Sequence, residues 1–336
     1  MNIKSCLNLL NKIDAYTVDK TLAGEILPAG KTGMKIRAVT DYLLYGTSFS
    51  EYFAYRFYAL NRAEKKTFMT RRHMFRFFDR YNPKEYRDRI GDKRLTHLYY
   101  GDMMKRDQFD YREGFDAFVR FTKEHPRLFI KRAFSWGGEG AYFADCYTSD
   151  RIKAEWEKLD ENSVIEERLE NCEQIKRLHP GSLNTIKVVT LWINGRAEIQ
   201  TALFRMGYNK PVDNVHLGGI CALVDIDSGA VFTKAFDHRF QEYVAHPVTG
   251  EQIVGFLIPM WEEVKGLARK AAAVTPEMRY TSWDIAVTEK GPVLIEGNWD
   301  AEFYSEQMLM LKGIRKRYCE KLEASRDSSP AAVLKF

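Results

Sequence analysis

Cysteine is scarce in this chain and follows no pattern: there are five, at 6, 146, 172, 221 and 319, with no Cys-x-x-Cys pair among them. An odd, scattered set excludes a disulfide framework and provides no zinc site, so reduced thiols of the cytosolic kind are expected. Long apolar runs are missing too. No stretch approaches the ~18 residues that a membrane span needs. The segment 1–16, which carries Lys4, Lys12 and Asp14, has no apolar core of the signal-peptide kind. The expectation is therefore a cytoplasmic protein without a membrane span. His-Glu-x-x-His does not occur, no Ser–His–Asp or Cys–His arrangement can be picked out, and there is neither a repeat nor a low-complexity block. Neither sign of charge dominates: 51 Lys and Arg stand against 46 Asp and Glu, a net of +5. That mildly basic balance helps to hold phosphate or an acidic substrate, but it is too weak to imply nucleic acid.

Apolar and aromatic residues are plentiful, at 45% and 13% of 336 residues. That is enough for a large core, divided into two or three subdomains. Residues 1 to about 90 read mainly as helix. Ser48-Phe-Ser-Glu51 has capping-box spacing, and the run after it is rich in aromatics (Tyr52, Phe53, Tyr55, Phe57, Tyr58), which read as core. Arg62, Lys65, Lys66, Arg71, Arg72 and Arg76 form a basic cluster. The plain reading is a solvated helix face; the sharper one is contact with an anionic substrate or a membrane surface.

From Leu128 the pattern turns to strands: 128–131, 141–144, 163–167, 185–193 and 196–204, the last two joined by Asn194-Gly195, a strong two-residue hairpin signal. A second hairpin joins 220–224 to 230–232 through Asp227-Ser-Gly229, and a helix from Pro259 to Ala273 follows, with the proline near its first turn. The tail beyond Arg326 reads as frayed. Helices first and a mostly antiparallel sheet afterwards make an α+β fold.

The most informative stretch is near the C-terminus. Asp284-Ile-Ala-Val287 and Pro292-Val-Leu-Ile-Glu296 are β-prone runs separated by Thr288-Glu-Lys-Gly291. Folding the hairpin about Lys290 places Asp284 opposite Glu296. Alternation then puts Asn298 on the face of Glu296 and turns Ile285, Val287, Val293 and Ile295 to the other face. Two carboxylates ~5 Å apart repel unless a cation bridges them, and an all-oxygen donor set suits Mg²⁺. The plain alternative is a solvated hairpin with acids on its wet face, and a one-residue slip in register would separate them.

Other stretches carry weaker signals. Ser135-Trp-Gly-Gly-Glu-Gly140 follows a strand ending in Lys131, and such glycines can turn backbone N–H groups inward around an anion. It lacks the Gly-Lys-Ser/Thr of a phosphate-binding P-loop, and Phe143 occupies the third glycine position of a dinucleotide fingerprint. A plain hairpin turn explains it as well. Lys93 opens a helix. Glu166 and Glu167 end an apolar strand whose backbone could hold an adenine edge, with ordinary surface charge as the alternative. Arg205, Asp213, Asn214, Gly218, Gly219, His238 and His246 fall in loops after strands, where site residues concentrate, although a structural hydrogen bond is the commoner role for any one of them.

Taken in order, several stretches resemble the ATP-grasp superfamily, and within it the sugar-transfer-associated ATP-grasp proteins. They are Glu51-Tyr-Phe with its aromatic helix, Asp92-Lys93, Lys131 with the glycine loop, and Ser182-Leu-Asn-Thr-Ile-Lys-Val-Val-Thr190. Val212-Asp-Asn214 with Gly218-Gly219, His246-Pro-Val-Thr-Gly250, Trp283-Asp-Ile-Ala286 and Gly291-Pro-Val-Leu-Ile-Glu-Gly-Asn298 follow. The resemblance spans roughly residues 40 to 315 and is most specific in the last two stretches. It implies ATP clamped between two α+β subdomains, with a helical region at 1–90, a small lid subdomain at 91–175, a large subdomain with the metal site at 176–318 and a tail at 319–336.

Several roles follow from the resemblance. Lys93 and Lys131 would contact phosphates, under a loop containing Ser135, Gly137, Gly138 and Gly140. Glu166, Glu167 and Leu169 would lie at the adenine and Glu170 or Glu173 near the ribose. Asp284, Glu296 and Asn298 would hold two Mg²⁺ ions, or Mn²⁺ in their place, and Lys187 and Arg205 would grip the transferred phosphoryl group. Asp213, Asn214, Gly218, Gly219, His238 and His246 would line the substrate side. The chain departs from the family pattern at Lys187, where arginine is usual, at Lys131-Arg132, where Lys-Pro is usual, and at Ser282, where glycine is usual. The implied activity is ATP-dependent carboxylate–amine ligation on a small molecule or sugar conjugate of a capsule or polysaccharide pathway, with glycosyltransferases as partners. A phosphotransferase acting on a hydroxyl and a non-catalytic nucleotide-binding partner of glycosyltransferases are the alternatives.

Overall fold

The computed structural model describes residues 30–134, 140–208 and 212–325. The helical expectation for residues 1–29, the frayed tail beyond Arg326 and the loop residues Ser135, Gly137 and Gly138 lie outside them. The chain forms two compact units: Met1–Arg80 with Glu302–Ser325, and Tyr81–Ala301 with Arg326–Phe336. The divisions at 80/81 and 301/302 gather a C-terminal segment with the N-terminal helices, an arrangement that the expected boundaries near 90 and 318 do not contain.

The first unit is helical, with helices Gly30–Tyr45, Phe49–Ala54, Arg62–Lys65, Tyr304–Met310 and Arg315–Glu323. The Ser48 capping box forms: the Ser48 hydroxyl accepts from the Glu51 N–H, and the Glu51 carboxylate accepts from the Ser48 N–H at 2.7 Å. The helix ends after Ala54, because Arg56 takes a left-handed φ of 52° and a short 3₁₀ turn follows. Tyr52, Phe53, Tyr55 and Phe57 are buried, as the core reading expects. Gln307 is fully buried and ties the unit together, accepting from the Met69 N–H and donating to the carbonyls of Met69 and Phe303. Within the basic cluster Lys65 departs from a solvated face, because its ammonium pairs with the buried Asp41 at 2.7 Å.

The second unit holds two antiparallel sheets. Strands β1 (Gln108–Phe109), β2 (Arg127–Arg132), β3 (Tyr142–Asp145) and β4 (Ser163–Glu167) form a four-stranded sheet in the order β1-β4-β2-β3. Strands β5 (Thr185–Ile193), β6 (Arg196–Met206), β7 (Ile220–Val224), β8 (Ala235–Phe236), β9 (Glu242–Tyr243), β10 (Tyr280–Thr288) and β11 (Gly291–Asn298) form a seven-stranded sheet in the order β11-β10-β5-β6-β7-β8-β9. The β5–β6 turn uses positive φ at both Asn194 (51°) and Gly195 (76°), the backbone that tight hairpins require. Residues 230–232 make only isolated bridges, Val224 with Val231 and Ala230 with Leu257, so the second hairpin is shorter than its sequence suggests. The long helix begins at Trp261 rather than near Pro259, since Met260 adopts a left-handed φ of 53°. It packs its apolar face (Val264, Ala268, Ala271, Ala272) into one core with Trp283, Ile285, Val287 and Leu294.

The β10–β11 hairpin pairs Asp284 with Glu296, by a route that differs from the symmetric fold expected. Thr288 pairs with Gly291, so the turn is the two residues Glu289 and Lys290; the register then jumps at a bulge, Ile285 opposite Leu294 and Asp284 opposite Glu296. Ile295 is the extra residue. Without it Asp284 would face Ile295. The short turn also corrects the expected faces: Leu294, not Val293 or Ile295, shares the core face with Ile285, while Val293 pairs with Ala286.

Candidate active site

The face of the large sheet opposite the long helix carries a line of charged side chains across neighbouring strands. Glu296 on β11 stands beside Asp284 on β10, which stands beside Lys187 on β5. Asn298 pairs with Ser282 two residues along, on the same face. Asp284 is 1% exposed. Its Oδ1 lies 2.8 Å from Lys187 Nζ and its Oδ2 2.7 Å from Arg205 Nη2. Lys187 also donates to the Ser282 hydroxyl at 3.2 Å, which brings that serine into the cluster. Arg205 comes from β6, opposite Thr185; its guanidinium donates to the Thr185 hydroxyl, which donates in turn to Asp213. Asp213 Oδ2 is 3.5 Å from Arg205 Nε.

Burial and charge oppose each other throughout this cluster. Burial raises the Asp284 carboxyl, but the two cations beside it outweigh that and hold it below the usual carboxylate range. Burial pulls Arg205 down, and the carboxylates of Asp213, Asp284 and Glu296 more than offset this, so its guanidinium stays charged. Asp213, further from the cations, is pushed up by burial. Three carboxylates thus meet two cations. Among the described residues Glu296 takes part in no ion pair, and the surplus negative charge lies on its side of the site.

A second buried cluster belongs to the small sheet. Glu166 on β4 is 2% exposed and pairs with Lys131 on β2 at 2.9 Å and with Arg106 at 2.8 Å. Surface charge is therefore not its role. Both cations outweigh burial and hold its carboxyl at about 2. The same burial pulls Lys131 down, because its counter-charge is shared with Arg106. Arg106 also donates to the carbonyls of Leu294 (2.6 Å) and Ile295 (3.0 Å). These flank the bulge, where ladder hydrogen bonding is interrupted. Arg106 thereby fastens β4 to β11 one residue before Glu296, and the charge of Glu296 acts on Lys131.

Other expected residues are placed as follows. Lys93 is the first residue of the helix Lys93–Met104, capped by Asp92, and its N–H meets the Ala133 carbonyl just beyond Lys131. Gly140 has a φ of 72°. Glu167 and Leu169 are half-buried. Glu173 is exposed and pairs with Lys176, and Glu170 pairs with Arg127 and Lys176. Asn214 caps a 3₁₀ turn that ends at Gly218, whose φ is 103°. Gly219 has no room for a side chain, since a Cβ there would lie 2.4 Å from the Asp213 carbonyl oxygen. His238 is exposed. His246 is buried, its Nε2 donating to the Gly207 carbonyl at 2.8 Å and its Nδ1 accepting from the Val248 N–H, so both nitrogens are engaged inside the fold.

Sequence reasoning missed Arg106, an isolated arginine whose partners are 60 and 188–189 positions away; no local signal marks it. It also missed Asp300, half-buried, whose carboxyl is pushed up by burial and feels Lys187, Arg87 and Glu296. Extending the alternation Glu296, Asn298 by one step would have reached it. Gly297, between them, faces a wall: a Cβ would lie 2.6 Å from Trp283 and 2.8 Å from Ile90. That is the physical reason for glycine in Glu-Gly-Asn.

Two antiparallel sheets, with buried lysine on the small one and an acid–acid–amide face on the large one, define an ATP-grasp protein. The chain belongs to the sugar-transfer-associated ATP-grasp family, whose model matches residues 155–324. Among solved structures it is similar to the ATP-grasp ligase PsnB complexed with minimal precursor, Mg and ADP: 16% identity, 78% of this chain, 68% of that chain, TM-score 0.44. It is also similar to D-alanyl-alanine synthetase A from Vibrio cholerae (13% identity, 71% and 61% covered, TM-score 0.39). Carboxyaminoimidazole ribonucleotide synthase from an Aspergillus, complexed with ATP, matches at 13% identity, 65% and 47% covered, TM-score 0.40. The chain thus spans less than two thirds of the length of the last two. No curated protein matches it. Among the described residues no helix is long and apolar enough to cross a membrane.

Proposed function

We propose that the protein is an ATP-dependent carboxylate–amine ligase working through an acyl phosphate, on an acceptor of cell-surface polysaccharide or sugar-conjugate synthesis. One observation carries the reading: Asp284 and Glu296 are paired across the hairpin beside the half-buried cations Lys187 and Arg205. The sugar connection is supported by the family, described as sugar-transfer associated.

The donor set fits a hard divalent cation. Glu296 is without an ion pair among the described residues, it stands beside Asp284 with Asn298 on the same face, and every donor is oxygen. Asp284, Glu296 and Asn298 would hold Mg²⁺, which would neutralise charge on the triphosphate of ATP. Lys131, kept in place by Glu166, and Lys93 would face the phosphates from the small sheet. Lys187 and Arg205 would stabilise the negative charge that grows on the transferring phosphoryl group, fixed in advance by Ser282, Thr185 and Asp284. In the first step an acceptor carboxylate oxygen bonds to the γ-phosphorus as the bond to the β-phosphate oxygen breaks, releasing ADP. In the second the amine nitrogen attacks the acyl carbon, phosphate leaves, and the amine proton passes to solvent.

The test is ATP consumption across pairs of carboxylates and amines, sugar-linked ones included, with the acceptor carboxylate labelled with ¹⁸O. The ligase reading expects ADP and phosphate only when both co-substrates are present, with one ¹⁸O in the phosphate. Phosphate left on a hydroxyl acceptor, with no amine needed, would replace it by a phosphotransferase.

A further inference from the structure

The basic helices have a role that the ATP site does not absorb. Residues 30–80 and 302–325, the described part of the helical unit, hold 16 Lys and Arg against 8 Asp and Glu, whereas the whole chain is only +5. The unit is therefore +8 and the rest of the sequence is net negative. The outward side of the helix Arg71–Tyr81 is Arg71, Arg72, Phe75, Arg76, Asp79 and Arg80, with one acid among four arginines. Phe77, Phe78 and Tyr81 face inward. Phe75 is 53% exposed, with the Arg71 guanidinium over its ring at 5.6 Å. The helix Gly30–Tyr45 likewise exposes Ile36, Leu43 and Leu44 at 63%, 55% and 65%, next to Arg37.

The C-terminal end of the first of these helices meets the start of the other. Thr70 donates to the Tyr45 carbonyl at 2.7 Å, and the Arg72 guanidinium reaches the carbonyls of Tyr42 and Leu43 at 3.2 and 3.3 Å. Both helices thus carry exposed guanidinium groups together with large exposed apolar side chains. Water alone does not account for it, because a solvated basic face gains nothing from four exposed residues of this size. A combination of this kind suits the lipid–water interface, where apolar side chains enter the acyl boundary and arginine stems lie along it with their charges at the headgroups.

We infer that the helical unit docks on an anionic lipid bilayer through this surface, with Phe75, Leu43, Leu44 and Ile36 entering the interface and Arg71 and Arg76 meeting the headgroups. The inference rests on the helical unit alone and holds whether or not the protein is a ligase.

Sedimentation of the full chain with vesicles of phosphatidylcholine, with or without about a third phosphatidylglycerol, tests it. Binding should be at least tenfold stronger with the anionic lipid and should fall sharply at 0.5 M salt, where screening is tight. Arg71→Gln with Arg76→Gln should weaken it by roughly fivefold per arginine, and Phe75→Ser with Leu44→Ser should weaken it at unchanged net charge. All four side chains are exposed, so thermal melting of the variants should match the parent; Arg72 is left alone because it braces Tyr42 and Leu43. Equal binding to both vesicle types, no binding, or binding of soluble polyglutamate without vesicle binding would overturn the proposal, the last assigning the surface to an acidic protein.

Discussion

Replacing Glu166 by glutamine probes the buried charge cluster most directly, because the substitution keeps the shape and removes only the charge that Lys131 and Arg106 share. The cost has two parts. A carboxyl titrating at about 2 in the fold, against an ordinary value of 4.5, contributes about 3 kcal/mol at neutral pH. Lys131 takes some of this back, since burial disfavours its charged form. Once the carboxylate is gone, however, two buried cations face each other unpaired, a situation that costs roughly 3–5 kcal/mol. Urea denaturation at pH 7 should show a loss in that range for Glu166→Gln.

The pH dependence has a definite sign. The folded carboxyl is depressed, so its contribution is complete above the ordinary value and is lost as pH falls toward 2. The gap between parent and variant should therefore narrow by about 1 kcal/mol between pH 6 and pH 3.5. Adding Lys131→Met to Glu166→Gln removes one stranded cation and should recover at least ~1 kcal/mol. A Glu166→Gln protein within about 0.5 kcal/mol of the parent at pH 7, or a gap that does not change with pH, would refute the reasoning.

Glu296→Gln should lower ATP turnover by at least ~10²-fold with no change in melting temperature, because the half-buried carboxylate makes no ion pair among the described residues; turnover at the parental rate would remove Glu296 from the site. Gly219→Ala should destabilise the fold by about 1–3 kcal/mol, since its Cβ would lie 2.4 Å from the Asp213 carbonyl oxygen and 2.9 Å from that of Met206. A calorimetric melt checks it, and an unchanged midpoint would show that the loop relaxes freely.

What the sequence made legible was local. Ser163–Glu167, Thr185–Ile193 and Ile220–Val224 form strands with the expected bounds, because their apolar runs end at turn residues that act over a few positions. The capping box at Ser48 and the Asn194-Gly195 turn are equally short-range. Alternation failed at β4, where Ser163, Val164, Ile165 and Glu166 are all buried, so pattern could not reveal that Glu166 faces two cations. The partners of Arg106 depend on how two sheets come together, which nothing near residue 106 encodes. Lys187 and Arg205 fall between these cases. Polar residues at 185, 187 and 205 in apolar strands mark a polar layer, but the convergence of Lys187 and Arg205 on Asp284 needs the strand order β10-β5-β6.

The bulge at Ile295 joins these threads. A two-residue turn at Glu289-Lys290 would by itself pair Asp284 with Ile295, placing Glu296 one position out of line and its side chain on the core face. One extra residue returns Glu296 to the side of Asp284 and interrupts the ladder at Leu294 and Ile295. Arg106 takes up both carbonyls, and its other contact is the carboxylate that holds Lys131. The irregularity that aligns the two acids on the large sheet is thus also the point at which the small sheet is fastened to it. An uninterrupted hairpin could supply neither the alignment nor the anchor, so the bulge belongs to the site as much as the side chains do.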